Sequence, residues 1–325
     1  MSHAELVETV AERECKSSDL RGIPLLVAFW SPWDTVYATV STLPGDTLTD
    51  STCFQLGTLT AAFLAADLED SLSRRGATLQ TAIDLGVDGP DRTPPPLTYA
   101  DLLTHRTGLT PYDPGPPYPT DDELIVELTA RIPASPRANA YRYDVLNYAL
   151  AWYSLRRALG RPRLRPGGLA YSDRVRKEDI ASLAPSAARL PSPAVQRRSD
   201  LLAAATAGIT DARGIIDLIW RLDRRDLGSW PSASVESMGG TAEAVPGWHR
   251  FAVGRDRWVY LAAGRTRRHG ASVAYDPTSR RAVVVLAAGS RQVGCLSYRL
   301  LRQRTDGWRE VAPGTQSAAQ PRGAP

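Results

Sequence analysis

Apolar residues crowd the stretch Gly22-Ile23-Pro24-Leu25-Leu26-Val27-Ala28-Phe29-Trp30, which reads as a buried strand. Ser31-Pro32-Trp33-Asp34 is a turn and Thr35–Val40 a second strand, so the two predict an antiparallel hairpin. Before it, Leu6, Val7, Val10 and Ala11 recur at helical spacing within residues 4–19. After it, the run from Gly57 to Leu68 is apolar on nearly every face of a helix, the mark of a central helix buried all round. Further on, helices are expected near Asp122–Arg131, from Tyr141–Leu150 to about Gly160, and twice within Ser199–Leu222 with a break near Gly208. Residues 88–97, 111–120 and 161–196 are rich in Pro, Gly or Arg and read as loop or irregular chain.

From Trp248 the period changes to that of strands: Trp248–Val253, Trp258–Ala262, Ala271–Tyr275 and Arg281–Ala287. Val293–Arg304 then reads as a closing helix, and residues 312–325 as a disordered tail. This order predicts an α/β fold of the α+β type, an antiparallel sheet flanked by helices plus a helical lobe. The sheet lobe would be built from residues 1–75 and 235–311, and the helical lobe from 76–234.

Composition narrows the function classes. The chain has 325 residues, 43% of them hydrophobic, enough for a sizeable core. It has no apolar run long enough to span a bilayer and no basic-then-apolar leader, so a cytoplasmic protein without membrane contact is expected. Cys15, Cys53 and Cys295 are widely spaced and read as free thiols. The net charge of +4 is carried by arginine, since Lys16 and Lys177 are the only lysines, a bias that points to a GC-rich, actinobacterial-type genome. Arg265, Arg267 and Arg268 form the densest basic cluster, which would either attract an anionic ligand or be a solvated turn. Phosphate-loop, dinucleotide-binding and zinc-ligand spacings are absent, so no cofactor, no metal and no nucleic acid are expected. A small-molecule substrate is the partner that remains; the sequence does not set an oligomeric state.

Leu102-Leu103-Thr104-His105-Arg106-Thr107-Gly108-Leu109 is similar to the L-L-T-H-T-S-G-L segment of the class C β-lactamase, penicillin-binding protein and esterase family. Phe54-Gln55-Leu56-Gly57 resembles the F-x-I-G that precedes that family's S-x-x-K. Tyr143 with Asn147-Tyr148-Ala149-Leu150 resembles Y-x-N-x-N-Y-x-L, and Ala274-Tyr275-Asp276-Pro277 with Val283–Leu286 resembles the D-P turn and late strand. The resemblance covers residues 4–305 and implies a substrate cleft between sheet and helical lobe.

It also implies acyl-transfer chemistry for which the groups are missing. The nucleophilic serine position is Thr58, its lysine position Ala61, and the asparagine of the second motif Val145. The third motif falls at Ala262, with Gly264 kept and the basic residue gone. A hydroxyl without an adjacent base is a weak nucleophile at neutral pH. Tyr143 alone survives, either as a proton donor or base toward a ligand or as a core phenol. Thr58 reads either as a helix N-cap or as a chemical group. His105 reads as structural, and His249 with the eight tryptophans as core or interface residues. His269 reads as a surface-turn residue or a cleft residue, and Tyr112 as a pocket wall or an apolar cover.

The candidate catalytic residues are thus Tyr143 and Thr58. The candidate substrate-binding residues are Gly57, Ala61, Tyr112, Val145, Ala262, Gly264, Arg265 and His269. Three functions fit: a repurposed enzyme of bacterial specialised metabolism doing non-covalent cyclisation, elimination or rearrangement, a non-catalytic ligand-binding or scaffold protein, and a Thr58-dependent esterase.

Overall fold

The computed structural model describes residues 9, 12–13, 20, 23–40, 48–86, 97–109, 120–133, 141–160, 169–171, 200–235, 242–289, 291 and 293–307. Most of the helix expected over 4–19, Tyr112 and the tail 312–325 lie outside them.

The hairpin forms as read. Strand β1 (Leu25–Ser31) is buried along its whole length because both its faces are covered: Leu26, Ala28 and Trp30 pack into one core and Leu25, Val27 and Phe29 into another. It pairs with β2 (Asp34–Val40), Leu25 facing Val40. On its other side lies β11 (Arg281–Ala287), where Leu25 faces Ala287. The short β3 (Phe54–Gln55), β4 (Ala170–Tyr171) and β5 (Gly208–Thr210) form a separate three-stranded sheet in the order β3-β5-β4. The remaining strands are β6 (Ala233–Ser234), β7 (Ala242–Val245), β8 (Trp248–Gly254), β9 (Arg257–Arg265) and β10 (Gly270–Asp276). With β1, β2 and β11 they make an eight-stranded antiparallel sheet ordered β2-β1-β11-β10-β9-β8-β7-β6.

Helix α1 (Thr60–Ser73) follows a 3-10 turn at Gly57–Leu59. Helices α2 (Tyr99–Leu103), α3 (Asp121–Ala130), α4 (Leu146–Ala158) and α5 (Asp200–Thr206) build the helical side. Capping boxes start α2 and α3: Thr98 and Thr120 accept from the backbone N–H three residues on, and Asp101 and Glu123 reach back. Helices α6 (Ala212–Asp223) and α7 (Gly294–Gly307) complete the set.

The apolar character of α1 has a direct cause. Ala62, Phe63 and Ala66 pack into the core against the sheet, while Ala61, Leu64, Ala65, Leu68 and Leu72 pack into the core of the helical side. One helix serves two cores, so no polar face is left. Helix α6 lies within the 76–234 span, yet its stripe Ile215, Ile216, Leu218, Ile219 and Leu222 packs against the sheet. The break near Gly208 is strand β5 rather than a loop. On the opposite sheet face, Leu296, Leu300 and Leu301 of α7 pack on Val259, Ala274 and Val283.

Strand alternation therefore decides which side chains can reach the helical side. In β9, Tyr260 and Ala262 point toward α1 and α6, whereas Val259 and Leu261 point toward α7. The hairpin β8–β9 is in register up to His249↔Leu261. Beyond it, among the described residues, Ala262–Arg265 of β9 pair with β10 alone, leaving one edge of that stretch open.

Candidate functional site

The open stretch of β9 lies against the 3-10 turn that starts α1. Gly264 is pressed so close that a Cβ there would overlap the carbonyl oxygen of Leu56 and crowd the amides of Thr58 and Leu59. Gly57 has a left-handed φ of 56°, and a Cβ on it would lie 2.5 Å from the carbonyl oxygen of Arg265. Both glycines are thus required by backbone contact.

Thr58 does not cap a helix. The cap positions are Leu56 for the turn and Leu59 for α1, neither with a side-chain capping bond. Instead the Thr58 hydroxyl donates to the carbonyl of Ala263 at 3.0 Å. The phenol of Tyr143 lies close enough to the same hydroxyl to interact with it. Tyr143 is 44% exposed, but its hydroxyl end points into protein. Desolvation there raises its pKa, the Thr58 hydrogen bond works against the rise, and the Asp144 charge adds to it.

The extended chain at 141–144 holds Tyr143 in place. The amide of Arg142 donates to the carbonyl of His105 at 2.9 Å. Tyr141 and Tyr143, two residues apart, both lie against the His105 ring, with centroids 5.7 and 4.7 Å away. His105 itself adopts a φ of 57°, a left-handed conformation that costs energy for a non-glycine residue. Its Nδ1 accepts the amide of Asp144 at 3.2 Å. Burial, then the nearby His249, lowers its pKa to about 3, so the ring is neutral. Thr107 and Asn147 lock the same corner: the Thr107 hydroxyl donates to Asn147 Oδ1 at 2.6 Å, and Asn147 Nδ2 donates to the Asp144 carbonyl at 3.1 Å. The two segments that resemble family motifs thus pack against each other.

The expected site residues separate into three groups. Gly57, Thr58, Tyr143, Gly264 and the Arg265 backbone come together, with half-buried Val145 just ahead of α4 beside Tyr143. Ala61 and Ala262 are only 5% and 4% exposed and belong to the two cores, so they close the floor beneath the site rather than line it. The third group does not reach the site. The Arg265 side chain follows Val259 and Leu261 toward the α7 face by alternation. His269 is fully buried rather than on a surface turn. Its ring stands edge-on to Phe54 and its Nδ1 accepts the Gln55 amide at 3.4 Å. Burial and then Arg268 lower its pKa to about 4.

One pair escaped the sequence. His249 of β8, read as a core or interface residue, has its Nε2 2.9 Å from the Tyr141 hydroxyl. Both residues are part-exposed, and the two are 108 positions apart, so no spacing could announce them. Among the described residues no cluster of three or more His, Cys, Asp or Glu could hold a metal, and no helix is long and apolar enough to cross a membrane.

No family model and no curated protein sequence matches the chain. Solved structures do. A β-lactamase/D-alanine carboxypeptidase from Pseudomonas syringae superposes with a TM-score of 0.72 at 15% identity, covering 93% of this chain and 99% of its own. A D-alanine carboxypeptidase from Burkholderia cenocepacia gives 0.68 at 15% identity, with 93% and 100% covered. SurE, solved with D-Leu, gives 0.64 at 16% identity, with 95% and 76% covered. The chain therefore has the α+β fold of the class C β-lactamases and D-alanine carboxypeptidases.

Proposed function

We propose that the cleft between Tyr143 and the open stretch of β9 binds a small organic molecule and transforms it by proton transfer, without an acyl-enzyme. One observation carries this reading: the only hydroxyl at the nucleophile position gives its proton to the Ala263 carbonyl, which is not a base. One turn further, where an activating amine would stand, is the buried methyl of Ala61. Among the described residues, no base accepts the Thr58 proton for a nucleophilic attack. Acid–base chemistry needs none at that oxygen. Tyr143, a part-exposed residue, brings its phenol inward beside Thr58, and the backbone at Gly57-Thr58 offers amide dipoles to developing negative charge. Cyclisation, elimination and rearrangement within specialised metabolism are the reaction types that fit. SurE, with the same fold, was solved with D-Leu, which supports a small organic ligand here.

The test is a thermal-shift and mass-spectrometric screen of the full chain against small ketones, esters and organic acids. A stabilising compound should be converted by wild type, and Tyr143→Phe should slow conversion by about 10²–10⁴-fold with the unliganded melting temperature kept. Stabilisation without any product would identify a binding protein instead. A fluorophosphonate adduct on Thr58 would replace this reading with an esterase.

A further inference from the structure

We propose that the Tyr141–His249 pair is the proton acceptor of this cleft. The inference rests on reading the cleft as an acid–base site and adds the group that the reading lacks. Tyr143 is a phenol whose proton is held tightly, so it can donate but is a poor acceptor at neutral pH. An acceptor that rests neutral has to stand elsewhere.

The geometry singles out His249. The β8–β9 register ends at His249↔Leu261, so His249 stands at the mouth of the gap beside Ala262–Arg265, the stretch that packs on Thr58. The chain segment that carries Tyr143 also carries Tyr141, and both rings pack against His105. Tyr141 thus bridges from the Tyr143 side of the cleft to His249 Nε2. His105 and His269, the other two described histidines, are buried and have Nδ1 taken by backbone amides. Burial lowers the pKa of His249, so the ring rests neutral, the form that can accept a proton. Its strand partners are Ala244 and Leu261, and Arg250 is neutralised by Glu243.

The proton count closes within the pair. A ligand O–H or activated C–H gives its proton to the Tyr141 oxygen, and its bonding electrons stay on the ligand. The phenol's own proton passes to His249 Nε2 along the existing hydrogen bond. The outcome is a neutral Tyr141, an imidazolium and a ligand anion. The ligand class is therefore a neutral weak acid, an enolisable carbonyl compound or a phenol.

Two measurements on the full chain test this. Histidine ¹⁵N labelling, with His249→Gln to assign the signal, reads the resting tautomer. The expected ring carries its proton on Nδ1 and accepts at Nε2; a ring protonated at Nε2 would make Tyr141 the acceptor and overturn the inference. The second measurement uses 4-nitrophenol, whose anion absorbs visible light. Wild type should bind it as phenolate, while His249→Gln and Tyr141→Phe bind it as phenol within about threefold of the same affinity; Tyr141→Phe alone carries the test if His249→Gln does not fold. Phenol bound to wild type, or phenolate bound to all three, overturns the inference and leaves the cleft reading intact. No binding to any form, by absorbance or thermal shift, removes the cleft reading and this inference with it.

Discussion

A methyl group on Gly264 would collide with the backbone of the turn that carries Thr58, and no side-chain rotation can relieve a clash between two backbones. Gly264→Ala should therefore destabilise the protein by at least about 2 kcal/mol in urea unfolding. His105 makes a second prediction, through pH. Its folded pKa is about 3 against an ordinary value of 6.5, so the unfolded chain takes up the proton first. The stabilisation is complete above pH 6.5 and is lost as pH falls toward 3, by about 1.4 kcal/mol per unit at most. Buried His269, lowered to about 4, acts in the same direction. Denaturation midpoints at pH 7 and pH 5 should differ, and His105→Asn should flatten the difference. At this scale the sequence revealed what local motifs encode. Thr58, Tyr143 and Gly264 could be read because each sits at a fixed offset inside a short segment. His269 was misplaced because Arg267 and Arg268 before it suggest a surface, while sheet alternation turns its ring inward against Phe54. Arg265 was misplaced for the mirror-image reason.

Among the elements, α1 is held to the chain around α6 by charge as well as by packing. Arg221 bridges Asp67 and Asp70, Arg225 reaches Glu69 and Asp70, and Trp230 donates to Glu69 at 3.0 Å. A single aspartate organises the helical side: Asp121 at the start of α3 pairs with the buried Arg156 of α4 at 3.0 Å and accepts the Leu201 amide of α5 at 3.2 Å. Asp121→Ala strands a buried guanidinium. It should cost about 3 kcal/mol in chemical denaturation, and pairing it with Arg156→Met should recover part of the loss. The long elements were legible because periodicity accumulates over a dozen residues, as in α1 and α6. Strands β3 to β6 were not, because two or three residues cannot display a period; their pairing comes from contacts such as Leu56 N–H to the Gly208 carbonyl at 2.9 Å.

For the molecule as a whole, the order of strands was only partly legible. The hairpin and the late meander follow from adjacency, but nothing local says that β1 inserts between β2 and β11. The two sides of the fold are stitched by one phenol. Tyr148 of α4 donates to the Leu103 carbonyl at 3.1 Å and accepts the Gly247 amide of the β7–β8 turn at 2.7 Å. Tyr148→Phe should lower stability by about 1–3 kcal/mol and raise amide exchange at Gly247 first.

Ala61 and Ala262 were described as sealed into the two cores beneath the site. Their burial limits what a single substitution at this cleft could add. Where the fold's resemblance places basic side chains, methyl groups now complete two hydrophobic interfaces, and an amine reintroduced at either point would enter a dry, already filled space without a counter-ion. A lysine could therefore not be placed at either point by a single substitution without unsettling the helix that both halves share.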